Sequence, residues 1–328
     1  MEFFRTHFSV ESLRLYGKYW RVCAIGLLVL LGVGYYYLFS SPPNISPQIV
    51  TITYGTSTKS IADSLYVAGV IRHPLVFRAL LRLSPVGSVV QTGVYKFDAP
   101  EDLFTVARRL ATGAYGLPPV RITFIEGATT REMAAQIALA LPYISSQDFL
   151  ARAREQEGYL FPDTYLFQPF ETTSSIVSTM RANFEKKVAP LLGDISASGY
   201  SLSEIVTMAS LVEKEGRTTE TRRMIAGILW NRLARHMPLQ VDAVFGYIND
   251  RPTYSPSYAD LKIDSPYNTY THTGLPPGPI NNPGLDALED VLHPAKTNYL
   301  YYLTDKNGVM HYATTYAGHE ANQRKYLP

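Results

Sequence analysis

The chain has 328 residues, room for roughly two domains, with 46% hydrophobic and 18% charged side chains. Its formal net charge is only +2, so there is no electrostatic case for nucleic acid as a partner. The single Cys23 excludes an intramolecular disulfide and any thiolate metal cluster.

Residues 22–39 are an uninterrupted uncharged run, about 27 Å long as a helix and enough to cross a bilayer. Tyr19 and Trp20 flank one end and Tyr35, Tyr36 and Tyr37 the other, as interfacial aromatics do. Arg5, Arg14, Lys18 and Arg21 precede the run, and the first basic residue after it is Lys59. That asymmetry predicts a cytoplasmic N-terminus over 1–18, a membrane helix over 19–40 and the remainder on the outer face. The run is long for a signal peptide, and Ser40-Ser41-Pro42-Pro43 is a poor cleavage context, which favours an uncleaved anchor.

After a linker at Pro42–Pro47, Val50 to Tyr54 alternates as a strand. Two helices are expected over Ser57–Leu65 and Pro74–Leu83, a strand over Gly93–Phe97 and a helix over Leu103–Ala111. This order over 48–116 is similar to the small LysM-like modules that bind cell-wall glycans; a purely structural α+β spacer fits it nearly as well. Small residues and prolines at 116–119 mark a boundary, with a second, mixed α+β domain expected over 117–328. The overall fold class is α+β.

In that second domain Val120–Ile125 reads as a strand and Thr129 or Thr130 caps a helix ending near Leu141. Helices are expected at Gln147–Gln156, Ile176–Leu191, Arg222–Arg235 and Leu285–Leu292. A hairpin should join Tyr299–Leu303 to Val309–Ala313 through a turn at Asp305–Gly308. The segment 273–284 is dense in proline and glycine, which suits a rigid groove wall. His272, His293, His311 and His319 lack the i, i+4 spacing of metal ligands, so neither a metal nor a cofactor is expected.

The most informative stretch is Ser203–Glu215. Ile205, Met208, Ala209 and Val212 recur at helical spacing, Ser203 is a candidate N-cap and Gly216 a candidate stop. Glu213 and Glu215 then fall off opposite edges of the apolar face by similar angles. Periodicity alone does not choose between them.

Several motifs together resemble the endolytic murein transglycosylases of the YceG-like type. They are Gly158–Tyr165, Ala209–Glu215, Asn231–Leu233, Leu239–Asp242, Tyr267–Tyr270, Gly274–Gly284, His293–Thr297 and Tyr299–Tyr301. The resemblance implies cleavage of peptidoglycan within its glycan strands, at the outer face of the bacterial cytoplasmic membrane. It assigns the catalytic role to the first glutamate of Val-Glu-Lys-Glu, Glu213 here. It also suggests contact with peptidoglycan synthases and termination of nascent strands. Three departures stand out: Asp242-Ala243-Val244 replaces Asp-Pro-Thr, Gly216 follows Glu215 in place of threonine, and Gly318 precedes His319 in place of glutamate.

The chemistry needs a proton on the departing oxygen and tolerance of an oxocarbenium-like centre. A lytic transglycosylase lets the muramyl 6-hydroxyl attack internally, so one glutamate serves as acid and then as base. Gln240, Asn268 and Tyr270 are candidate binders of sugar hydroxyls and acetamido groups, and Tyr165 a candidate stacking ring; each has a structural alternative as loop or core residue. Two rivals remain open: a non-catalytic wall-binding scaffold, and a glycosidase pairing Glu213 with Asp242 or Glu215.

Overall fold

The structure is a computed structural model that describes residues 10–42, 47–83, 90–251 and 255–327. Residues 1–9 of the expected cytoplasmic segment and 43–46 of the expected linker lie outside the described residues. The chain is mixed α+β, rich in helix, and divides into two compact units, Met1–Pro118 and Pro119–Pro328.

The first unit begins with α1 (Val10–Phe39), whose Tyr19–Phe39 stretch has a mean hydropathy of 2.1, is unburied and is long enough to cross a membrane. There follow β1 (Gln48–Ile52), α2 (Thr58–Val67), α3 (Pro74–Leu83), β2 (Gly93–Phe97) and α4 (Leu103–Thr112). β1 and β2 pair antiparallel with Val50 opposite Tyr95. β1 lies two residues earlier than its alternation predicts, because the chain already turns at 53–56. There Thr56 donates twice to the Thr53 carbonyl and Gly55 takes φ 79°. Ser57 and Asp102 cap α2 and α4. Ile61, Leu65, Phe77, Tyr95, Phe97 and Leu110 fill the core between helices and hairpin.

The second unit opens with β3 (Val120–Thr123), α5 (Thr130–Ala140), α6 (Ser146–Ala153), β4 (Thr164–Phe167) and α7 (Thr173–Val188). β3 and β4 pair antiparallel, Ile122 opposite Tyr165, and the helices pack against them around Met133, Ile137, Phe149 and Met180. α8 (Leu192–Ser198), α9 (Leu202–Glu215), α10 (Thr219–Ala234), α11 (Val244–Asn249) and α12 (Leu285–Leu292) surround a second core, and β5 (Tyr301–Thr304), β6 (Met310–Ala313) and α13 (Tyr316–Tyr326) complete the unit. α8 and α11, of seven and six residues, are too short for periodicity to reveal. α13 has no buried residue and hence no apolar stripe to read.

α9 is the centre of this second core. Its cap is Ser201, not the expected Ser203, because Glu204 then falls at the third helical position and closes a reciprocal capping box. Every residue from Ile205 to Val212 is buried, so α9 is enclosed on all sides where its periodicity suggested one face. The Pro/Gly-rich loop is tied to its middle: the Ile280 amide donates to Ser210 Oγ (3.0 Å) and Asn281 Nδ2 to the Ser210 carbonyl (2.7 Å). α10 is joined to α12 through Asp290, which accepts from Arg222 Nε (2.7 Å) and Arg223 Nε (2.9 Å). Trp230 is partly buried, stacks on Tyr200 at 4.0 Å and donates to the Val291 carbonyl.

Candidate active site

Successive helical residues are about 100° apart, so Glu213 and Glu215 point in nearly opposite directions from the last turn of α9. Each meets a different environment.

Glu213 Oε2 accepts the backbone N–H of Gly284 (2.9 Å), the residue that caps α12. A Cβ on Gly127 would sit 3.2 Å from Glu213 Cγ, and one on Gly284 would collide with the Glu126 carboxyl, so the surroundings are closely packed. Burial raises the Glu213 pKa and nearby Glu126 adds to it, opposed by the Gly284 N–H, Arg222 and Lys214. This glutamate lies where the loop 280–284 meets the turn 126–128, which are bonded to one another by Gly127 N–H to the Asn282 carbonyl.

Glu215 instead lines a cavity of about 470 Å³. Around it stand Arg232 from α10, Gln240 and Asp242 from the segment after α10, Tyr270, Tyr301 and Tyr302 from β5, and Tyr316, His319 and Gln323 from α13. Glu213 does not line it. The Glu215 pKa is pushed from the usual 4.5 to about 7, chiefly by desolvation and in part by Asp242, against the opposing effects of the Tyr302 hydroxyl (3.1 Å) and the Ala243 backbone. Glu215 can reach the cavity because the helix stops there. Gly216 permits the stop: its φ of −109° is ordinary, but a Cβ would sit 2.5–2.9 Å from Arg222 Cγ, Cα and N.

The opposite wall is held by its backbone. Gln240 adopts φ 52°, unusual for a residue with a side chain. Its N–H donates to the Thr269 carbonyl (3.0 Å) and the Val241 N–H to Thr269 Oγ1 (2.9 Å). Arg232 spans the gap, donating to the carbonyls of Leu300 (2.6 Å) and Leu239 (2.8 Å) and to Gln240 Oε1 (3.2 Å). Its guanidinium lies 5.0 Å from the centre of the Tyr301 ring, and His319 stacks on that ring at 5.4 Å. The Tyr270 hydroxyl donates to Asp242 Oδ1 at 2.5 Å.

Of the residues singled out from sequence, Gln240 and Tyr270 therefore meet in one cavity, together with Asp242 and Glu215. Asn268 does not reach it. It is fully buried behind the wall, donating to the carbonyls of Leu261 and Ile263 and accepting the Tyr270 N–H, so all its capacity goes into shaping the loop. Tyr165 is likewise a core residue: its ring stacks on Phe167 at 5.4 Å, and its hydroxyl donates to the Phe161 carbonyl and accepts from Asn183. Sequence reasoning missed Tyr301, Tyr302, Tyr316 and Gln323 as cavity residues. The aromatic-rich run at 299–302 was the available signal for the first two; α13 offered none.

The cavity combines a proton-holding acid near neutrality, a second carboxylate held by a phenol, amide donors and acceptors, and an exposed aromatic face. Such a set can bind a sugar and protonate a leaving oxygen.

The profile of the YceG-like family matches residues 50–325. An endolytic murein transglycosylase from Bacillus subtilis (strain 168) is 32% identical over 85% of this chain and 84% of its own length. One from Streptococcus pneumoniae serotype 2 is 30% identical over 90% of this chain, which spans only 62% of that relative. The crystal structure of a YceG-like protein from Listeria monocytogenes superposes with a TM-score of 0.58 at 27% identity, covering 85% of this chain and 99% of that one. The chain is a member of the YceG-like family.

Proposed function

We propose that this chain is a membrane-anchored endolytic lytic transglycosylase that cleaves the MurNAc–GlcNAc bond within peptidoglycan strands and leaves 1,6-anhydro-MurNAc ends. The observation that carries this reading is Glu215: a single glutamate, desolvated to a pKa of about 7, open to a sugar-sized polar cavity. The names of the relatives point the same way.

The resemblance assigned the acid to Glu213, but the geometry supports Glu215 in that role. Near pH 7 a substantial fraction of Glu215 is protonated and can give its proton to the departing oxygen. The resulting carboxylate then takes the proton of the muramyl 6-hydroxyl as that oxygen closes on the anomeric carbon. Gln240 and Tyr270 orient sugar substituents beside it. Glu213, engaged by the Gly284 N–H, holds the loop against the end of α9.

In the same reading α1 is a single-pass anchor in the cytoplasmic membrane with its N-terminus inside, and the βααβ order of the first unit is LysM-like and binds glycan. Placed there, the enzyme would release nascent strands beside peptidoglycan synthases and so end their elongation.

The test uses the full-length protein in detergent with isolated sacculi, the products being weighed by mass spectrometry. We expect anhydro ends from the wild type, a loss of roughly 10²–10⁴-fold in rate for Glu215→Gln, and a much smaller loss for Glu213→Gln. The reverse ranking would return the role to Glu213. Reducing ends would mean hydrolysis, and intact glycan would favour a wall-binding scaffold.

A further inference from the structure

The cavity holds a second half-buried carboxylate with no opposing charge. Among the described residues the arginine and histidine ion pairs involve other carboxylates than Asp242. Arg232, the arginine lining the cavity, spends its N–H groups on the carbonyls of Leu300, Leu239 and Pro238 and on Gln240. Asp242 instead faces the same space as Glu215 and raises that group's pKa; burial raises the Asp242 pKa as well, opposed by the Tyr270 hydroxyl. An unpaired carboxylate beside a second acid is an unfavourable arrangement for folding alone. It is also firmly built: Gln240 and Val241 before it are pinned to Thr269, and Tyr270 donates to Oδ1.

We infer that Asp242 stays ionised and stabilises the positive charge that develops on the sugar as the glycosidic bond breaks. This rests on the reading of Glu215 as the acid. When the bond from the anomeric carbon to the leaving oxygen breaks, both electrons stay on that oxygen, which takes the Glu215 proton. The anomeric carbon and ring oxygen then share a positive charge next to Asp242. The 6-hydroxyl oxygen attacks that carbon and its proton passes to the Glu215 carboxylate. No water is consumed, and Asp242 neither makes nor breaks a bond. A fixed charge aimed at the developing cation supplies the electrostatic part of catalysis, and the Tyr270 bond holds the carboxylate in place.

The groups facing Asp242 in the cavity are Glu215, Arg232, Tyr270, Tyr301, Tyr302, Tyr316 and His319. Only Glu215, Asp242 and His319 are expected to titrate between about pH 3 and 8. The experiment measures initial rates on sacculi from pH 3 to 9 for the full-length wild type, Asp242→Asn, Asp242→Glu, His319→Gln and Glu215→Gln, with pelleting on sacculi and thermal melting of each. We expect Asp242→Asn to be roughly 10²-fold slower, to pellet with sacculi as before, and to lack the fall in rate toward low pH that the wild type shows. Asp242→Glu should recover part of the rate, and His319→Gln should keep the low-pH limb. The inference is overturned if Asp242→Asn stays within about threefold of the wild type, if its loss is matched by lost binding, or if His319→Gln abolishes the limb. Should Asp242→Asn not fold, a wild-type profile without a low-pH limb overturns it equally. Glu215→Gln separates the two ideas: if that variant is active the assignment of the acid fails, whereas an inactive Glu215→Gln beside a near-normal Asp242→Asn defeats only the role of Asp242.

Discussion

Glu157 and Glu215 are both buried acids with pKa values pushed to about 7, yet their surroundings differ. Glu157 Oε1 accepts the first N–H of α5 from Thr130 (2.9 Å) and the side-chain amide of Asn282 (3.0 Å), joining a helix terminus to the Pro/Gly-rich loop. That makes it a structural acid, and its pKa predicts a pH dependence of stability. The folded value lies above the usual 4.5, so the folded state holds the proton more tightly. Stability from this group is fully present below about 4.5 and is lost as pH rises through about 7. Glu157→Gln keeps an oxygen for both donors and removes the ionisation. Denaturant unfolding should therefore show wild type and variant alike at pH 4.5, with the glutamine form ahead by up to about 3 kcal/mol at pH 8. An advantage that does not change with pH would refute this account. Residue type alone could mark Glu157, Glu213 and Glu215 only as glutamates; what separates them is enclosure by segments far away in sequence. For the same reason Asn268 and Tyr165 read as binders from sequence. Amides and phenols serve a groove and a core loop equally well, and only their partners tell which.

At the scale of elements, local signals carried most of the information. Capping chemistry and periodicity located α3, β2 and α12 to the residue, since each has a clear apolar stripe or alternation and a turn at its ends. The start of α9 was misplaced by two residues because Ser201 and Ser203 are both good caps, and only the reciprocal bond to Glu204 selects the first. Its burial on all sides was not legible, because Thr207 and Ser210 look solvent-facing, and the loop at 280–281 that bonds to Ser210 lies far away in sequence. The end of α9 yields a prediction. Gly216→Ala would push Arg222, and with it the first turn of α10, away from the end of α9. We expect a loss of about 1–3 kcal/mol by denaturant unfolding, together with a fall in rate, because Glu215 is the adjacent residue. A variant as stable and active as the wild type would mean that the close approach relaxes freely.

For the whole molecule, the apolar stretch in α1 was plain from composition, whereas the cavity was not. Its walls come from α9, α10, the segments at 240–242 and 270, β5 and α13, a span of more than a hundred residues, and no single window of sequence contains enough of it to be recognised. The enclosure of Glu215 by these walls also sets activity against durability. At neutral pH the fold retains a desolvated acid that would ionise more readily once unfolded, so the group proposed to transfer the proton also weakens the fold. The Glu215→Gln protein should accordingly melt several degrees above the wild type at pH 8 and at nearly the same temperature at pH 4.5. Selection of variants for heat resistance alone would then tend to discard this glutamate, and thermal tolerance in relatives would have to be acquired elsewhere in the chain.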